Sequence, residues 1–139
     1  MSLTWVPLEA VTRVRAPLGA AAAAAAAAAY VGAVDPNKPG HYPTCPFLWL
    51  TGLYCPGCGA LRTVHALTHG DLRTAVSLNV LVLAGFVLLG AIWTRWLVRE
   101  WRGVPRSTVA PAWSLRVMAG VVIVFWVVRN LPVGAALAP

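Results

Sequence analysis

Three cysteines stand in one short stretch, Cys45-Pro-Phe-Leu-Trp-Leu-Thr-Gly-Leu-Tyr-Cys55-Pro-Gly-Cys58-Gly, and the chain has no others. Cys55-Pro-Gly-Cys58-Gly predicts a tight turn. Proline presets one backbone angle, and glycine accepts positive φ. Two thiols on such a turn converge on one point, and Cys45 waits ten residues upstream behind its own proline. Three kinds of chemistry fit. The first is a metal site, since Cys-Pro-x-Cys-Gly has the shape of a zinc knuckle and three thiolates call for a fourth ligand. His41, four residues before Cys45, is the easier fourth ligand. His65 is the alternative, but seven helical residues at about 1.5 Å each would set it about 10.5 Å from Cys58. The second is thiol-disulfide exchange between Cys55 and Cys58, with Cys45 as a resolving thiol and Arg62 one turn on favouring the thiolate. The third is a plain structural staple.

Other polar residues gather near the cysteines. Arg62, His65, His69 and Arg73 form one stripe, and Asp71 comes after a His69-Gly70 break. Asn79, Arg129 and Asn130 each fall near the end of an apolar run, where a polar group is a functional candidate by default. The bland alternatives are that Arg129 anchors a helix end, that Asn79 bonds a neighbouring helix, and that the two histidines are solvated. No catalytic residue is assigned.

The elements that must position these residues read as membrane. The chain of 139 residues is 59% hydrophobic and 11% charged, with mean hydropathy +0.71. A soluble domain carries about 25% charged residues, so lipid is the expected solvent. Residues 1–16 form a polar lead ending in Arg13 and Arg15. Residues 17–34 are a first transmembrane helix, built on the alanine tract Ala20–Ala29, with a cleaved signal peptide as the alternative. Residues 35–75 hold a Pro-rich loop, the cysteines and a short amphipathic helix on the membrane surface. That helix has Leu61, Val64 and Leu67 on its apolar side, and Asp71 caps a second short helix. Residues 76–94 are a second span, 95–109 a basic loop, 110–131 a third span and 132–139 a small apolar tail.

Orientation comes from charge. With the N-terminus cytoplasmic and three crossings, Arg13, Arg15, Arg95, Arg99, Arg102, Arg106 and Arg116 all face the cytoplasm, as the positive-inside rule asks. Tyr30, Tyr42, Trp49, Tyr54 and Trp126 then mark the outer interface, and Trp93, Trp96, Trp101 and Trp113 the inner one. The net charge of +7 and pI of about 10.4 are thereby explained as topology signals, and nucleic acid is not an expected partner.

Cys45-Pro46, Leu50-Thr-Gly52, Cys55-Pro-Gly-Cys58-Gly, Arg62, His65, His69-Gly-Asp71, Asn79 and the closing Arg129-Asn-Leu-Pro132 together resemble the DUF2752 family of small bacterial membrane proteins, over about residues 44–132. The resemblance implies a membrane protein and marks Cys45, Cys55, Cys58 and Arg62 as site residues. It supplies no reaction. The composition, rich in alanine, valine and arginine, suits a high-GC actinobacterial source.

The expectation is an all-α integral protein of the plasma membrane, multi-pass, with about three transmembrane helices and an extracytoplasmic cysteine turn. It is a binding or accessory protein whose cysteine site holds zinc or another thiophilic metal structurally. A membrane thiol-disulfide component and a purely structural subunit are the alternatives. Partners are the bilayer and, at this size, a second copy or a larger membrane complex.

Overall fold

A computed structural model describes residues 8–105 and 111–138. Arg106, Ala110 and the start of the polar lead lie outside the described residues. The described residues form helices and connecting turns: α1 Leu8–Ala33, α2 Pro46–Thr51, α3 Ala60–Thr68, α4 Leu72–Arg102, α5 Ala112–Arg129, and a 3-10 turn over Pro132–Leu137. Three of these, Val11–Ala33 within α1, then α4 and α5, are long and apolar enough to cross a membrane.

The helices outrun the apolar runs. α1 does not wait for Pro17; that residue lies inside the helix and is fully buried. A proline there removes one main-chain donor from the ladder. The Pro17 carbonyl accepts a bond from Trp93 Nε1 at 2.9 Å, tying α1 to α4. α4 likewise continues through residues expected to form a basic loop. Nothing between Thr94 and Arg102 breaks a helix, and Trp96 Nε1 donates to Glu100 at 3.0 Å one turn on. The stop comes at Gly103, whose φ of 65° suits a residue without Cβ. The run Pro46–Thr51, not anticipated as an element, is a short helix opened by proline and closed by Gly52 at φ 71°.

α1 and α4 run antiparallel. Pro17 meets Trp93, and Arg13 lies against Gly103, so the N-terminal part of α1 shares an end with the last turn of α4. At the other end, His65 of α3 reaches the carbonyl of Val31. α3 is wedged there between α1 and α4. Small residues of α3, and not its leucines, are the ones buried against these neighbours. Leu61 is 41% exposed, whereas Thr63 and Ala66 are buried. Small residues face inward because the backbones come close: a Cβ added at Gly32 would sit 2.9 Å from Thr68 Oγ1.

α4 is kinked at Asn79, whose backbone leaves the helix for one residue at φ −165°, ψ 93°. The side chain repairs the break. Asn79 Oδ1 accepts from the Val82 N–H at 3.1 Å and caps the longer second half of the helix. Along that half, and along α5, the apolar side chains point outward: Val87 is 71% and Val124 62% exposed. Among the described residues the largest fully buried side chains are Arg129, Asn79, Thr63 and Pro17.

Candidate metal centre

The site begins at Cys45, which stands just before α2 with Pro46 in the first turn. Gly52 ends α2 and turns the chain back, and Leu53 and Tyr54 lead into the second cysteine. Tyr54 is clamped on both main-chain groups by one side chain. Its N–H donates to Asn130 Oδ1 at 2.8 Å, and its carbonyl accepts from Asn130 Nδ2 at 2.9 Å. The next four residues close a turn in which Cys58 N–H donates to the Cys55 carbonyl at 3.1 Å. Gly59, at φ 88°, redirects the chain into α3.

The three sulfurs converge. Cys45 Sγ lies 3.5 Å from Cys55 Sγ, and Cys55 Sγ lies 3.0 Å from Cys58 Sγ. All three ligand atoms fall within 4.8 Å of one another. The Cys55 N–H also donates to Cys58 Sγ at 3.2 Å. The thiols differ in environment. The Leu48 N–H at the start of α2 holds Cys45 below the usual thiol range, while burial pushes Cys58 up to about 12.

Two polar side chains, both about 1% exposed, hold the turn from behind. Asn79 Nδ2 donates to the carbonyls of Pro56 and Cys58 at 2.9 and 3.0 Å. Arg129 Nη1 donates to the carbonyls of Cys55 and Pro56 at 3.0 and 3.3 Å, and its Nη2 to Cys58 at 3.2 Å. The guanidinium also rests over the Phe125 and Tyr54 rings, 5.0 and 5.9 Å from their centroids. A buried cation is costly unless paired. Every side-chain hydrogen bond Arg129 makes among the described residues goes to a carbonyl of the cysteine turn. The 3-10 turn packs so tightly on the end of α5 that a Cβ at Gly134 would run into the Val128 carbonyl.

The histidines go elsewhere. His41, expected as fourth ligand, is exposed and is not among the clustered donors. His65, the alternative, is not among the clustered donors either and is committed to other partners. Its Nδ1 is 2.9 Å from the Val31 carbonyl, and its Nε2 is 3.7 Å from Asp35 Oδ1. His69 stacks beside it, ring centroids 4.3 Å apart. Asp71 caps α4 by accepting from Thr74 N–H at 3.0 Å. Of the polar candidates, Asn79, Arg129 and Asn130 are brought to the cysteine turn, and Arg62 lines a cleft in front of it.

That cleft has a volume of about 470 Å³ and is bounded by all three cysteines, the loop Pro36–Pro39, Tyr42, Tyr54 and the start of α3. Lys38, Tyr42 and Tyr54 were not singled out as site residues from sequence. Lys38 carried the one available signal, a cation in the loop that leads into the cysteines. Asp35, the partner of His65, carried none, because the pairing joins residues 30 positions apart that only the packing of α1 on α3 brings together.

No curated protein and no solved structure matches the chain. The family match takes in the three cysteines, Arg62, His65, His69, Asp71 and Asn79, and it ends before Arg129-Asn-Leu-Pro132, which the resemblance had included. Residues 45–93 match the family model DUF2752, described as a protein of unknown function.

Proposed function

We propose that this chain is a multi-pass membrane protein whose Cys45, Cys55 and Cys58 bind a thiophilic divalent metal, zinc foremost, as a binding or accessory protein. The convergence of the three sulfurs over a buried guanidinium carries the proposal. A tetrahedral zinc with Zn–S bonds of about 2.3 Å separates its sulfurs by about 3.8 Å. Two observed separations, 3.0 and 3.5 Å, fall short of that value by less than 1 Å and none exceeds 4.8 Å, so small side-chain rotations suffice. Three thiolates and a divalent ion sum to one negative charge, and Arg129 directly behind the turn offsets it. Asn79 and Arg129 then act as outer partners that hold the ligand-bearing backbone, a role whose loss costs about 10–100-fold in metal affinity.

Sidedness has its own support. Arg13, Arg15, Arg99, Arg102 and Arg116 lie on the helix segments farthest from the cysteine turn, and the positive-inside rule puts those segments in the cytoplasm. The cysteine site is then extracytoplasmic, at the plasma membrane. In that oxidising setting a second function has a specific observation behind it: Cys55 and Cys58 are 3.0 Å apart and can form a disulfide.

Elemental analysis of the protein purified in detergent under reducing conditions tests the proposal. One metal per chain is expected, falling to background in Cys45→Ser, Cys55→Ser and Cys58→Ser. A wild-type protein with reduced thiols and no bound metal after zinc reconstitution would refute it. Thiol counting before and after mild oxidation addresses the second function, which requires two thiols to be lost reversibly.

A further inference from the structure

Three protein sulfurs leave a tetrahedral metal one donor short. Among the described residues no fourth histidine, cysteine or carboxylate joins the cluster. What faces the sulfurs is the cleft of about 470 Å³, a volume within the usual range for small-molecule sites.

The far wall of that cleft is cationic. Lys38 and Arg62 both line it. Arg62 makes no hydrogen bond or ion pair among the described residues, whereas Lys38 lies close enough to Asp35 for its charge to favour that carboxylate. The first turn of α3 adds to this. The main-chain N–H of Ala60 is taken by Gly57 and that of Thr63 by Gly59, but those of Leu61 and Arg62 have no acceptor among the described residues. Unclaimed donors in the first turn of a helix form an anion site, reinforced by the helix dipole. Residues Gly59 to Arg62 all border the cleft, so these donors, Arg62 and the sulfurs share one chamber.

The geometry points to a small mercapto acid as the ligand of this cleft, resting on the metal reading above. Its thiolate supplies the fourth donor to the metal. Its carboxylate takes the free N–H groups of α3 with Arg62 and Lys38. A sulfur donor is favoured because a metal selected by three thiolates is thiophilic. A carboxylate is favoured because the metal with its three thiolates, offset by Arg129, is close to neutral, which leaves Arg62 without counter-charge among the described residues. The metal and its new ligand exchange no electrons; one thiol proton is released to solvent as the metal–sulfur bond forms.

Cobalt(II) substituted into the full-length protein gives a direct readout, because sulfur-to-cobalt charge-transfer absorption rises with each thiolate bound. Three probes are titrated: 3-mercaptopropionate, uncharged 2-mercaptoethanol and sulfur-free propionate. The mercapto acid is expected to bind about ten-fold or more tightly than mercaptoethanol, the worth of one charge-assisted hydrogen bond. That preference collapses in Arg62→Gln while cobalt content and mercaptoethanol binding persist. Lys38→Gln, in the exposed loop, lowers it as well and guards against a folding defect at Arg62. Equal affinity for both thiols, no spectral change with either, or a preference untouched by both substitutions overturns the inference and leaves the metal site standing. A wild-type protein that takes up no cobalt overturns both.

Discussion

Arg129 and Asn79 share their acceptors, and that sharing has a measurable consequence. The carbonyls of Pro56 and Cys58 each accept from both side chains, and the Cys55 carbonyl accepts from Arg129 and from the Cys58 N–H. Arg129→Met therefore strands no carbonyl. It removes charge-assisted bonds worth about 1.5–3 kcal/mol for the set, so about 2 kcal/mol is expected, or about 30-fold in the opening equilibrium of the turn. Asn79→Ser keeps an oxygen for the Val82 cap and removes the two donors, at a cost of about 1–2 kcal/mol. The double variant leaves two buried carbonyls unpaired, each costing about 1–3 kcal/mol. Its loss should therefore exceed the sum of the singles by about 2 kcal/mol or more. Cys58 is the reporter, 7% exposed and with its thiol pushed up to about 12 by burial, so it reacts from the opened turn. In a metal-free Cys45→Ser, Cys55→Ser background, its rate of maleimide labelling reads the opening directly. An Arg129→Met variant labelled within about two-fold of its parent, or a double variant that is merely additive, would refute the reasoning.

Two further outcomes are expected. Gly134→Ala forces a methyl group against the Val128 carbonyl and should lower stability by about 1–3 kcal/mol, with Cys58 labelling accelerated because the 3-10 turn braces the end of α5; an unchanged thermal midpoint would count against this. Asp71 has its carboxyl held below the usual range by its bonds to Thr74, so the capping contribution is complete above the unfolded carboxyl pKa of about 3.9 and is lost as pH falls through the lower folded value. Amide exchange at Thr74 and Ala75 should thus be faster in Asp71→Ala at neutral pH and match wild type once the solution is more acidic than both values.

Much of the helical framework was written in the order of residues. An uncharged run of eighteen or more can satisfy its main-chain groups in lipid only as a helix, and the break at His69-Gly70-Asp71 announced itself through a glycine and a capping acid. The cysteine turn was equally local, since proline and glycine act on their own backbone. The polar residues near the apolar ends were visible as anomalies, which is why Asn79, Arg129 and Asn130 could be named without coordinates.

Packing decided the rest. Which donor reaches which sulfur depends on the azimuth at which each helix meets its neighbours, and periodicity does not carry that information. His65 has the right chemistry for a ligand, but the end of α1 and the residues after it present it with the Val31 carbonyl and Asp35. The wedge of α3 between α1 and α4 turned Thr63 and Ala66 inward in place of the leucines, because in lipid close approach of backbones replaces water exclusion as the force between helices. Arg129 lies 71 residues from Cys58, yet its fork closes on the turn because the end of α5 returns to the site. Residue types alone chose the solvent, the helices and the thiols; only their mutual docking chose the partners, since a hydrogen bond is made at about 3 Å and no pattern along the chain measures that distance.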